Sequence, residues 1–127
     1  MILVVVTMVA LAASLAIFDE VGIAALRERS VRLTDYLETL LRADGVEILT
    51  PADPKARGAQ LSLRFPNAPA VLEELNRHGV IADFRAPDII RLAPIPLYTS
   101  FHDLWRIGEI LRDLNDRTTA NHANDSI

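Results

Sequence analysis

Leu61-Ser62-Leu63-Arg64-Phe65-Pro66-Asn67 is the stretch at which this 127-residue chain changes its hydrophobic period. Leu61, Leu63 and Phe65 alternate with Ser62 and Arg64, the pattern of a strand with one buried face, and Pro66-Asn67 ends it. Downstream, Pro69 suits the start of a helix over 70–77 that His78-Gly79 closes. Residues 80–84 and 89–93 read as two further strands, joined as a hairpin by Ala86-Pro87-Asp88. A last helix is expected over 100–114, with Phe101, Leu104, Trp105, Ile107, Gly108, Leu111 and Leu114 as core positions.

Upstream the period is helical. Met8, Leu11, Leu15 and Phe18 recur at three- and four-residue spacings from Thr7 to a stop at Val21-Gly22. A second helix over 23–42 carries Ala25, Leu26, Val31, Leu33, Leu37, Leu40 and Leu41 inward, and Arg27, Glu28, Arg29, Arg32, Asp35 and Glu38 on a solvated face. Asp44-Gly45 stops it, and residues 46–49 form a short strand. The order predicts an α+β fold, a small antiparallel sheet covered by helices on one face.

The chain is one domain long, and a net charge of -4 leaves no basic excess for nucleic acid. There is no cysteine, which excludes disulfides, thiolate metal sites and a cysteine nucleophile and fits a reducing, cytoplasmic setting. Twelve of the thirteen basic residues are arginine; the one lysine, Lys55, falls in the turn-rich Thr50-Pro51-Ala52-Asp53-Pro54-Lys55-Ala56-Arg57-Gly58, a solvated setting unsuited to imine chemistry. His78, His102 and His122 are too scattered for a metal site, so none is expected.

Residues 1–17 carry no charged side chain. A secretory signal would begin with positive charge, although Ala12-Ala13-Ser14-Leu15-Ala16 resembles a cleavage site. A membrane helix would have basic or aromatic anchors where Asp19-Glu20 stand. The expectation is a buried helix, or one that packs on another part of a larger protein, with no membrane partner.

Arg91, in Ile89-Ile90-Arg91-Leu92-Ala93-Pro94-Ile95-Pro96-Leu97-Tyr98, is the sharpest candidate for chemistry. Its planar fork suits a carboxylate, and Pro94 and Pro96 stiffen the turn that follows. The alternative is a solvent-facing Arg91 paired with Asp83, Asp88 or another surface acid. Arg64 has the same ambiguity, and alternation sets it with Ser62, away from the core. Ser100 reads as the cap of the last helix. His102 and Asp103, being adjacent on a helix, do not face each other, so no Ser-His-Asp triad is expected and no residue is assigned as catalytic.

Three blocks in order, Arg57-Gly58-Ala59-Gln60-Leu61-Ser62-Leu63-Arg64, His78-Gly79-Val80-Ile81-Ala82-Asp83-Phe84-Arg85 and residues 88–103 from Asp88-Ile89-Ile90-Arg91 to Phe101-His102-Asp103, resemble the C-terminal part of kynureninase. The segment 12–41, with Ile17-Phe18-Asp19-Glu20-Val21-Gly22, resembles the helices leading into that family's small domain. The resemblance covers about residues 7–114, departs over residues 1–6, and carries Thr99 where the family commonly has asparagine.

What the resemblance implies is the small domain of a fold type I pyridoxal phosphate enzyme, homodimeric, in tryptophan catabolism. The family hydrolyses L-kynurenine to anthranilate and L-alanine, and by this likeness Arg91 binds the substrate's α-carboxylate. Residues 1–22 would then be an apolar lead-in from a large domain, 23–114 the small domain and 115–127 a disordered tail. The lysine, phosphate-binding residues and ring-nitrogen acid of the family would belong to a large domain or second subunit. The chain is accordingly expected to be a fragment, inactive alone and binding no cofactor by itself. The alternatives are a stand-alone binding or regulatory module without catalysis, and a membrane-tethered remnant.

Overall fold

The computed structural model describes residues 1–124, with side chains through residue 117. Helices α1 (Ile2–Val21) and α2 (Ile23–Ala43) are followed by strand β1 (Glu47–Ile48), a 3-10 turn (Pro54–Ala56), and strand β2 (Leu61–Arg64). Helix α3 (Ala68–Arg77), the hairpin β3 (Asp83–Arg85) and β4 (Ile89–Leu92), and helix α4 (Phe101–Asn124) complete the order. The sheet order is β1-β2-β4-β3, antiparallel throughout, with Leu63 opposite Ile90 and Asp83 opposite Arg91. This is the expected α+β architecture.

The core lies between one sheet face and the helices. Leu61 and Leu63 of β2 and Ile90 and Leu92 of β4 meet Leu33, Leu37 and Leu41 of α2, Val71 and Leu75 of α3, and Leu104, Ile107 and Leu111 of α4. Period two in the strands and three-to-four spacing in the helices bring these residues to one side.

Helices α2 and α3 end in the same way. Gly45 and Gly79 take positive φ (75° and 77°), and the next residue's N–H turns back, Val46 to the Leu41 carbonyl (3.0 Å) and Val80 to the Leu75 carbonyl (2.9 Å). This shortens β3: with the Val80 N–H committed to α3, ladder pairing begins only at Asp83, not at residue 80.

Other expectations are corrected. Helix α1 starts at Ile2, ahead of Thr7, because nothing in the Val-rich start breaks the backbone ladder from Val5 N–H to the Met1 carbonyl (3.2 Å). None of its residues is buried, so it is not a core helix of this chain. By length and composition it could cross a bilayer.

Ala25 is exposed rather than inward, and Glu38 is buried rather than solvated. Trp105 is 44 % exposed, stacked on His102 instead of sitting in the core. Helix α4 continues beyond Leu114 through residues 115–124, read from sequence as an aperiodic, disordered tail. That segment is polar but holds neither glycine nor proline, and Arg117 extends toward Glu74 of α3 (3.7 Å). Residues 125–127 and the side chain of His122 lie outside the described residues.

Candidate functional site

The sheet face turned away from the helices is polar and carries Arg91. On β4, Ile90 and Leu92 point to the core, which sends Ile89 and Arg91 to the opposite face. Register then builds two rows across the sheet, Ser62-Arg91-Asp83 and Glu47-Arg64-Ile89-Arg85. Cross-strand neighbours in such rows are close enough for their side chains to interact.

Arg91 donates from Nε and Nη2 to one oxygen of Asp83, Oδ2, with the Nε bond at 2.7 Å. Arg85 approaches the same oxygen from its Nε at 3.2 Å. The Asp83 carboxyl is held below its ordinary value, first by the Arg91 hydrogen bond, against desolvation and with help from the charges of Arg85 and Arg91. Arg91 is 28 % exposed, and its Nη1 has no partner among the described residues. Of the surface acids open to Arg91 on sequence grounds, Asp83 is the partner. Asp88 is taken by Arg64 (3.2 Å), which also holds Glu47 (2.8 Å).

The turn after β4 is fixed from inside and outside. Thr99 Oγ accepts from the Ile95 N–H (2.9 Å), and the Thr99 N–H returns to the Ile95 carbonyl (2.8 Å). From α2, Arg29 reaches the carbonyls of Pro96 (2.8 Å) and Thr99 (3.1 Å) while lying over the Phe101 ring at 5.9 Å. Sequence reading set Arg29 on a solvated face. Its targets are carbonyls about seventy residues away, which leave no side-chain signature.

Ser100 caps α4 as expected. Its Oγ accepts from the Asp103 N–H (3.1 Å), and the Asp103 carboxylate accepts from the Ser100 N–H (2.8 Å) and hydroxyl (2.7 Å). These bonds hold the Asp103 carboxyl below its ordinary value. His102 stacks on Trp105 at 5.5 Å and takes no part, so Ser100, His102 and Asp103 form no triad. Among the described residues no three His, Cys, Asp or Glu side chains are grouped to hold a metal ion.

Sequence reading missed a second charged cluster. Arg57, in the 50–60 loop, has its side chain 1 % exposed and contacts Glu38 and Asp35 of α2, and Glu38 also accepts from Arg42 (2.8 Å). Arg27 joins the loop to α2 through the carbonyls of Pro54 (2.6 Å) and Arg57 (3.0 Å). The loop is thus held to α2 at Pro54 and Arg57. Lys55 stays exposed in its 3-10 turn, so it supplies no desolvated amine for an imine with an aldehyde cofactor.

A cavity of about 370 Å³ opens on the other side of β4, floored by Leu37, Leu92, Leu104 and Ile107 and rimmed by His78, Tyr98 and Arg106. Arg91 does not line it. The face that carries Arg91 and this cavity lie on opposite sides of β4.

The fold resembles that of a segment of two solved enzymes. A cysteine desulfurase from Thermococcus onnurineus matches with a TM-score of 0.78 at 15 % identity, covering 84 % of this chain and 30 % of that one. An 8-amino-7-oxononanoate synthase from Francisella tularensis matches with a TM-score of 0.65 at 18 % identity, over 85 % and 32 %. The chain belongs to the kynureninase C-terminal domain family, which matches residues 26–111. It is 57 % identical over 106 residues to a kynureninase of Myxococcus xanthus, covering 80 % of this chain and 25 % of that protein. It is 50 % identical over 107 residues to one of Salinispora tropica, covering 77 % and 24 %. The chain thus spans about a quarter of the length of the curated relatives it matches.

Proposed function

We propose that this chain is the substrate-carboxylate domain of a kynureninase-type hydrolase, which splits L-kynurenine with water into anthranilate and L-alanine. Arg91 binds the α-carboxylate. The observation that carries this reading is the position of Arg91 on the helix-free sheet face with one guanidinium nitrogen, Nη1, unpartnered among the described residues. Two parallel N–H donors match the geometry of a carboxylate and give direction as well as charge.

Pyridoxal phosphate, when bound, supplies the electron sink for the bond cleavage, and the lysine that holds it belongs to another part of the assembly. With Lys55, the one lysine, exposed in its 3-10 turn, the residues of this chain do not fit the cofactor, and their part is to bind and orient substrate. The apolar, wholly exposed α1 is the lead-in that the cofactor-bearing portion covers. The assembly is a cytoplasmic homodimer.

The test pairs this chain with the cofactor-bearing portion of a family member and follows anthranilate release. Release that depends on the chain, and is lost with Arg91→Ala while cofactor absorbance persists, supports the reading. Release unaffected by Arg91→Ala removes it.

A further inference from the structure

We infer that Asp83 is a positioning residue for Arg91, holding the inner edge of the guanidinium so that the outer edge is presented to a substrate carboxylate. This rests on the reading of Arg91 as the carboxylate clamp and goes further by naming what aims it.

A guanidinium carries five N–H donors and offers two edges able to hold a carboxylate, one from Nε and Nη2 and one from Nη1 and Nη2. Asp83 takes the first edge, and takes it with a single oxygen. Among the described residues, Nη1 and the second Nη2 proton are left for another acceptor, and the Arg91 side chain remains partly open to solvent. Asp83 therefore does not occupy the place a substrate carboxylate would need.

Two features fix Asp83 itself. It stands directly opposite Arg91 in the β3-β4 ladder, so its Cβ is set by backbone register rather than by a flexible loop. Arg85, two residues on and on the same strand face, reaches the same Oδ2 (3.2 Å) and draws the carboxylate along the strand. The depressed Asp83 carboxyl keeps the anion charged throughout the neutral range. A long arginine side chain on an exposed sheet face would otherwise sample many rotamers, and productive geometry tolerates little misplacement.

Kinetics of the assembled holoenzyme and nitrogen NMR of Arg91 test this together. Asp83→Ala is expected to raise KM for L-kynurenine roughly tenfold or more while kcat changes less, with Asp83→Glu recovering part of the loss. The Arg91 Nε–H resonance is expected to be shifted and protected in the parent by its bond to Asp83, and to move to the position of a solvated arginine in Asp83→Ala. A KM that is unchanged or lowered in Asp83→Ala, in an enzyme that Arg91→Ala does impair, overturns the positioning role and leaves the clamp standing. If Arg91→Ala is itself without effect, the clamp falls, and the positioning role with it.

Discussion

Arg57 and Glu38 face each other across the junction of the 50–60 loop and α2, their side chains 1 % and 11 % exposed. Burying a guanidinium is unfavourable unless charge and hydrogen bonds are returned to it, and here Glu38, Asp35 and the Pro51 carbonyl (3.3 Å) do so. Its Nε is left without a bond among the described residues. The pair ties the loop to the helix that forms one wall of the core, and the loop leads directly into β2, the neighbour of β4.

Removing one partner strands the other. Glu38→Ala is expected to destabilise the chain by about 3–5 kcal/mol, toward the lower figure because Asp35 remains. Urea denaturation of Glu38→Ala, Arg57→Ala and the double variant checks it. The double variant should fall well short of the sum of the single losses, whereas strict additivity would show that the pair is uncoupled.

Acid should act through the same groups. Burial raises the Glu38 carboxyl, but the hydrogen bonds and charges of Arg57 and Arg42 outweigh it, and the group ends below its ordinary 4.5. A carboxyl depressed in the folded state contributes stability that is complete above its unfolded value and lost as pH falls through the folded one. Glu38→Gln should therefore differ from the parent at pH 7, and the two urea midpoints should converge as pH drops below the ordinary carboxylate range. A difference that persists undiminished in acid would assign the effect to packing.

The contrast between α1 and α2 gives a third expectation. Leu37→Ala empties a fully buried position and should cost about 2–5 kcal/mol, while Leu11→Ala on α1 should stay within about 0.5 kcal/mol in this chain. Chemical denaturation of both variants decides it. A large loss for Leu11→Ala would mean that α1 packs on the domain in solution.

At the head of α4, Ser100→Ala removes the cap and should lower stability by about 1 kcal/mol, read as a fall in Tm. Gly79→Ala should cost about 1–2 kcal/mol from backbone conformation alone, since a Cβ there meets nothing within 4 Å. A neutral Gly79→Ala would show that the α3 terminus relaxes.

Much of this fold is legible because its signals are local. The Leu61-Leu63 alternation, the stops at Gly45 and Gly79, and the Ser100 cap each depend on residues within a few positions, and each element stands where they indicate. What escaped depends on long-range partners. Glu38 reads as one more charge on a solvated face until Arg57, nineteen residues on, is brought against it. Arg29 answers to carbonyls, and α4 outruns its apolar stripe because no breaker follows it. For the site, alternation on β4 assigns Arg91 to the face opposite Ile90, and Asp83 is among the acids within its reach. Only the register of the hairpin selects Asp83 over Asp88.

The most direct test of the central claim is a cycle between Arg91 and the substrate's own carboxylate. In the assembled holoenzyme, parent and Arg91→Ala are compared for KM of L-kynurenine and for the inhibition constant of an analogue lacking the α-carboxylate. A charged hydrogen-bonded contact contributes about 1.5–3 kcal/mol, so Arg91→Ala should weaken L-kynurenine by roughly 10- to 150-fold and leave the analogue unchanged. Equal weakening of both, or of neither, would contradict the assignment of Arg91 to the carboxylate.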